Sequence, residues 1–248
     1  MLAIIGGRGL TELENLKITH RQVLRTPYGE PSGHFLFGTL NEHEVIFLAR
    51  HGHGYTIPPH LVNYRANMWA LNQQGVSKVF SVATVGGIRA DLTPGTLVVP
   101  DQILDYTYDR DFTYFDTRDT CYTNADFTLP YCPELRTSIL RSAATLKEHC
   151  VDGGVYAAIQ GPRLDSAAEI NRYERDGADM VGMTGMPETA LAMELGMKYA
   201  SIAVVVNHAA GRGESKDGIR MEQVNATANA AMVRVRSILE NVVISDAD

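Results

Sequence analysis

Residues 1–10 read Met-Leu-Ala-Ile-Ile-Gly-Gly-Arg-Gly-Leu. Leu2 to Ile5 is an unbroken apolar run, too short for a buried helix and bounded by glycines, so it reads as a buried strand. Gly6-Gly7-Arg8-Gly9 then forms a tight turn whose backbone N–H groups could crowd around an anion. A lone G-G-x-G is more often only a strand-to-helix turn. It is not a dinucleotide fingerprint, because Gly7-Arg8-Gly9-Leu10-Thr11-Glu12 lacks the last glycine.

The same grammar recurs downstream. Strands are expected at Glu44–Ala49, running into Arg50-His51-Gly52, and at Val79–Val82, running into Val85-Gly86-Gly87. Others are expected at Thr96–Val99, Val155–Ile159 and Tyr199–Val206, the last followed by Asn207-His208. Helical patterns occupy His60–Gln74 (stopped by Gly75), Glu134–His149, Ser166–Asp176, Pro187–Leu195 and Glu222–Val243. Asp105–Pro133 has no clear period, and it reads as a long functional excursion. Strand–helix alternation predicts an α/β fold: one domain over residues 1–248, three layers α/β/α, with a central, largely parallel or mixed sheet.

Composition narrows the function. The 248 residues are 45% hydrophobic and 21% charged, an ordinary globular balance. The net charge of −7 and the lack of a basic run argue against a nucleic-acid partner, while leaving room for a locally positive pocket. Cys121, Cys132 and Cys150 are odd in number and make no C-x-x-C, so neither a disulfide framework nor a zinc site is expected. His51, His53 and His60 do not have the spacing of a metal site. No leader peptide or membrane span is visible, and a cytoplasmic protein is expected.

Ligands of open α/β sheets collect at the carboxyl ends of strands. Those ends carry Gly6–Gly9, Arg50-His51, Thr84–Gly87, Met183-Thr184 and Asn207-His208. A guanidinium grips phosphate in bidentate fashion, an imidazole can donate one more bond, and Thr84 and Thr184 could add hydroxyls. Singly, each has a plainer reading: a surface ion pair for the Arg-His, a cap for a threonine, core packing for Met183. Nothing resembles a nucleophilic triad.

Six short motifs in order change the odds. They are Gly6-Gly7-Arg8-Gly9-Leu10, Ala49-Arg50-His51-Gly52, Val62-Asn63-Tyr64-Arg65-Ala66-Asn67, Val85-Gly86-Gly87-Ile88, Gln160-Gly161-Pro162-Arg163 and Gly182-Met183-Thr184-Gly185-Met186-Pro187-Glu188. With them the chain resembles, over almost its whole length, the trimeric class of the purine nucleoside phosphorylase and methylthioadenosine phosphorylase family, and most of all its bacterial methylthioinosine branch. The resemblance implies phosphorolysis of a purine nucleoside, with inorganic phosphate as co-substrate and no cofactor. Arg8, Arg50, His51, Ala83, Thr84 and Thr184 would hold phosphate. Met183 would lie along the ribose, Asp165, Asn207 and Ala209 would face the base, and Met221 would line the sugar 5′ group. A homotrimer is implied, the neighbouring chain completing each pocket through the region of Asn124 to Phe127.

The chain departs from that pattern at Arg8, where relatives carry Ser or Thr, at Ala83, which offers only backbone, and at Asn124, where several carry His. Asp165 is one methylene shorter than the usual Glu. Asn207 stands where methylthioadenosine enzymes carry Asp. An amide can accept from N7–H and donate to O6 of a departing 6-oxopurine, and a carboxylate at 165 can accept from N1–H, so a hypoxanthine-type base is expected. Methylthioadenosine, inosine or guanosine remain alternative substrates, and a nucleoside-binding protein without catalysis is the rival of another class.

Overall fold

In the computed structural model, which describes residues 1–116 and 122–245, eleven strands form one mixed sheet. Cys121 lies outside the described residues. β1 (Leu2–Gly6) pairs in parallel with β4 (His43–Ala49) on one side and β5 (Lys78–Gly87) on the other. β2 (Lys17–Gln22) and β3 (Phe35–Leu40) extend the sheet antiparallel beyond β4. β5 branches: it pairs along its length with parallel β11 (Lys198–His208), and its last residues meet antiparallel β10 (Met180–Gly182). β9 (Val155–Ile159) and β7 (Gln102–Tyr106) continue from β10, while β6 (Leu97–Val99) and β8 (Cys150–Asp152) continue from β11.

The apolar runs follow from burial on both faces. Ile4 and Phe80 enter one core with Val235, Ile238 and Leu239 of α5 (Met221–Ser245) and Ile139 of α2 (Pro133–Thr145). Ala3, Ile5 and Val79 enter another with Met68 and Leu71 of α1 (Tyr64–Gln73) and Leu191 of α4 (Glu188–Glu194). Adjacent residues pointing to opposite layers define the α/β/α sandwich. α3 (Ala167–Arg175) begins at a capping box in which Ser166 and Glu169 satisfy each other's backbone N–H.

Several boundaries move. The expected helix from His60 is a short 3₁₀ turn at Pro59–Leu61, then α1, whose Asn63 cap accepts from the Ala66 N–H. The helix expected to reach His149 stops at Thr145, and the chain turns into β8. β5 and β11 do not end before their glycines and amide. They run on to Gly87 and His208, so Thr84 and Asn207 sit within strands. β7 ends in the first two residues, Asp105 and Tyr106, of the segment read as irregular. No helix of the described residues is long and apolar enough to cross a membrane.

Gly6 closes β1 where no side chain fits. A Cβ there would lie 2.0 Å from the Leu10 carbonyl oxygen and 2.8 Å from the Phe47 ring. Gly6→Ala is expected to destabilise the fold by about 3 kcal/mol, the upper end of an overpacking cost, read as a lower urea midpoint with an unchanged slope.

Candidate active site

The carboxyl ends of β1, β4, β5, β10 and β11 surround a cavity of about 800 Å³, measured to its open mouth. All eleven residues singled out from the sequence line it: Arg8, Arg50, His51, Ala83, Thr84, Asp165, Met183, Thr184, Asn207, Ala209 and Met221. Tyr55, Leu164 and Ile219 join them. Asn124 and Phe127 border a separate surface hollow.

Arg50, in the cavity wall, is fully buried. Its Nε and Nη2 donate to the two Glu188 oxygens at 2.6 and 2.7 Å, Nη2 also to Ser81 Oγ at 2.8 Å, and Nη1 to the Val82 carbonyl at 2.9 Å. Burial opposes the guanidinium charge, but Glu188 outweighs it and holds the pKa above the ordinary arginine value. The bidentate grip on phosphate expected of Arg50 is therefore not available. Its fork faces Glu188, and one Nη1 hydrogen is left. Gly7 makes this junction possible, since a Cβ there would stand 2.7 Å from the Val82 carbonyl oxygen and 3.2 Å from Arg50 Nη1.

His51 follows directly and is also buried. Its Nδ1 lies 2.9 Å from the Ile57 carbonyl oxygen. A carbonyl only accepts, so Nδ1 carries the proton. Burial first, and the neighbouring Arg50 charge second, lower the His51 pKa to about 4. At neutral pH the second nitrogen, Nε2, is thus an acceptor rather than the donor expected.

Arg8 supplies what the Arg50–Glu188 pair does not. Its Nη1 donates to Asn225 Oδ1 on α5 at 2.9 Å, and its guanidinium carbon lies 4.8 Å from the centre of the Tyr55 ring. Tyr55 holds that ring from a left-handed backbone, φ 57. Arg8 has no carboxylate partner among the described residues, so it is the uncompensated positive charge on the wall. Thr84 and the buried Thr184 add hydroxyls nearby.

The same cavity is also lined by an amide and a carboxylate, Asn207 and Asp165. A bulge at Val206 interrupts the register of β11 with β5 and re-aims the next residue, Asn207. Asn207 Nδ2 donates to the His208 carbonyl at 2.6 Å, which fixes the amide and leaves Oδ1 and one Nδ2 hydrogen. Asp165, in the turn before α3, has its pKa raised to about 6 by burial and then by Glu169. Met221 and Leu164 remain 43% and 45% exposed, an unfinished apolar rim.

The sequence did not single out Arg110. It is buried, and it donates to Tyr64 Oη, to Gln160 Oε1 and to the carbonyls of Ile159, Gln160, Met183 and Met186. It pins the excursion after β7 to the backbone that presents Met183 and Thr184.

Fold and cavity define an α/β protein whose strand ends line one cavity with an unpaired arginine, hydroxyls, an oriented amide and a carboxylate. Comparison with known proteins gives the family. The phosphorylase superfamily model matches residues 1–244. A protein of Pseudomonas syringae pv. tomato named probable S-methyl-5′-thioinosine phosphorylase is 48% identical over 97% of each chain. The 6-oxopurine nucleoside phosphorylase of Pyrococcus furiosus is 41% identical over 87% of this chain and 82% of its own. Methylthioadenosine phosphorylase of Schistosoma mansoni, solved with adenine, superposes with a TM-score of 0.94 at 30% identity, covering 100% of this chain and 92% of the other. The chain belongs to the phosphorylase superfamily.

Removing Glu188 would leave the Arg50 charge buried and unpaired. Glu188→Ala is expected to cost about 3–5 kcal/mol in chemical denaturation, and Glu188→Gln less, because it keeps acceptor oxygen beside the guanidinium.

Proposed function

We propose that the chain is a purine nucleoside phosphorylase that splits S-methyl-5′-thioinosine into hypoxanthine and 5-methylthioribose 1-phosphate. The observation that carries this reading is Asn207: an oriented amide in the wall of the cavity that Arg8 also lines, with an open acceptor and an open donor hydrogen. A departing 6-oxopurine, protonated at N7 and bearing O6, presents the matching donor and acceptor. The names of the Pseudomonas and Pyrococcus relatives support the 6-oxopurine, and the first of them also supports the methylthio group.

Phosphate, held by Arg8, the remaining Arg50 hydrogen, His51, Thr84, Thr184 and the Ala83 backbone, attacks C1′ as the bond to purine N9 breaks. The ribosyl centre passes through an oxocarbenium-like state, and the electron pair of the broken bond goes to the purine. Placement of phosphate under C1′ is a large part of the acceleration. Asn207 stabilises the purine as its charge builds. Asp165 accepts from N1–H, Met183 lies along the ribose, Ala209 closes the base side and Met221 covers the methylthio group. The open rim at Met221 and Leu164, with exposed Tyr108, Phe112 and Tyr122 on the excursion, suits a homotrimer in which a neighbour completes the pocket. We place the enzyme in the cytoplasm, in keeping with the free thiols of Cys132 and Cys150. Phosphate is the only co-reactant the reaction needs.

Purine release measured with and without phosphate, on methylthioinosine, methylthioadenosine and inosine side by side, tests the reading. Release is expected to need phosphate and to be fastest, by kcat/KM, on methylthioinosine. Asn207→Asp should shift preference towards methylthioadenosine by about tenfold or more, since it leaves mismatched polar groups buried against a 6-oxopurine.

Acidity gives a second handle. Burial raises Asp165 to about 6, so its accepting carboxylate is present above that pH and lost below it. The kcat/KM for methylthioinosine should fall as pH drops through about 6. Asp165→Asn should lower the plateau and remove that limb of the profile.

A further inference from the structure

An acceptor nitrogen standing in an anion pocket needs an explanation. His51 Nδ1 is committed to the Ile57 carbonyl, and Nε2 has no hydrogen-bond partner among the described residues. The ring forms part of the cavity wall beside Arg50, with Tyr55 4.5 Å away centre to centre. The charged groups that bear on it are Arg50 and Arg8, which oppose an imidazolium, and Glu188, which favours one. Glu188 is already engaged by Arg50 and by the Tyr199 hydroxyl at 2.7 Å, and its net effect on the ring is the weaker. The ring is therefore neutral with a bare lone pair. An oxyanion oxygen brought against that lone pair would be repelled, whereas a hydroxyl on the same anion would donate to it.

Resting on the phosphorolytic reading above, we propose that His51 Nε2 selects the co-substrate by its proton, accepting a hydrogen bond from a P–OH group. The site then takes tetrahedral oxyanions that carry a hydroxyl at neutral pH, phosphate and arsenate, and discriminates against isosteric dianions that carry none, sulfate and monofluorophosphate. The remaining donors around the anion serve its unprotonated oxygens: Arg8, one Arg50 hydrogen and the two threonine hydroxyls. This division orients the anion, because only its OH oxygen can face His51. The oxygens turned away from His51 are the unprotonated ones, and one of those is the nucleophile the reaction requires. No proton has to move to or from His51 for this to work.

Direct calorimetric binding of phosphate, arsenate, sulfate and monofluorophosphate to the wild-type protein reads the selection without turnover. Sulfate and monofluorophosphate are expected to bind about ten- to a hundredfold more weakly than phosphate, the cost of a buried acceptor left facing an oxyanion or fluorine, and arsenate within a few fold of phosphate. In His51→Gln the amide can turn either its C=O or its NH₂ to the anion, so the gap should close to within about threefold. Sulfate binding within threefold of phosphate in the wild type would overturn the proposal, as would an undiminished gap in folded His51→Gln. If that variant does not fold, the wild-type comparison decides alone. Failure of the phosphorolytic reading looks different: no phosphate binding at all, or purine release that ignores phosphate.

Discussion

The site is organised by one buried ion pair. Arg50 at the end of β4 and Glu188 at the start of α4 are both fully buried, and each is satisfied further by a neighbour: Arg50 by Val82 and Ser81 of β5, Glu188 by Tyr199 of β11. Bringing both charges out of water is costly, and only bidentate geometry with additional hydrogen bonds offsets it. What the arrangement secures is position. Three elements meet at one guanidinium and β11 joins them through the Glu188 carboxylate, so the end of β4, the middle of β5, the start of β11 and the N-terminus of α4 cannot shift independently. The carboxylate also sits in the first turn of α4, where the helix dipole favours it.

That constraint has an electrostatic consequence for the cavity. A paired arginine contributes little net charge, and the neutral His51 contributes none. For the proposed phosphate to bind, an acidic chain of net charge −7 must then draw on another charge of the wall. Arg8 is placed for it, over the Tyr55 ring and tethered to a neutral amide, so its charge is kept in position without being cancelled. The arginine that breaks the family pattern thus fits the pocket's charge balance instead of contradicting it.

How much of this the sequence disclosed depends on burial. β1, β4 and β11 are buried on both faces and read as apolar runs. β2, Lys17–Gln22, is exposed at every residue and carries no pattern at all, and β10 has three residues, too few for a period. Much of the cavity lining was legible because Arg8, Arg50, His51, Met183 and Thr184 lie in motifs with a fixed order. The roles inside it were less so. Arg50 looked like a phosphate clamp because its partner Glu188 lies 138 residues away. Arg110 lies between Asp109 and Asp111 in the stretch without a clear period, and its partners are mostly backbone carbonyls that no side-chain pattern could name.

Two residues of the cavity wall, His51 and Asn207, are set by the same device. At each, a backbone carbonyl takes one hydrogen of a neutral side chain, and so dictates which lone pair or hydrogen remains. Ile57 does this for the His51 ring, and His208 does it for the Asn207 amide. The side chain need not reorient when the substrate arrives or when charge develops, and a dipole already aligned costs nothing more during the reaction. A carboxylate at 207 could not serve in this way. It would accept from N7–H, but it would set a full negative charge against O6 just as the leaving base gains electron density. In the proposed reaction the amide accepts at one atom and donates at the other, so its fit to a 6-oxopurine improves as the bond to the sugar breaks, which is the condition for an interaction to lower the barrier and not merely tighten binding.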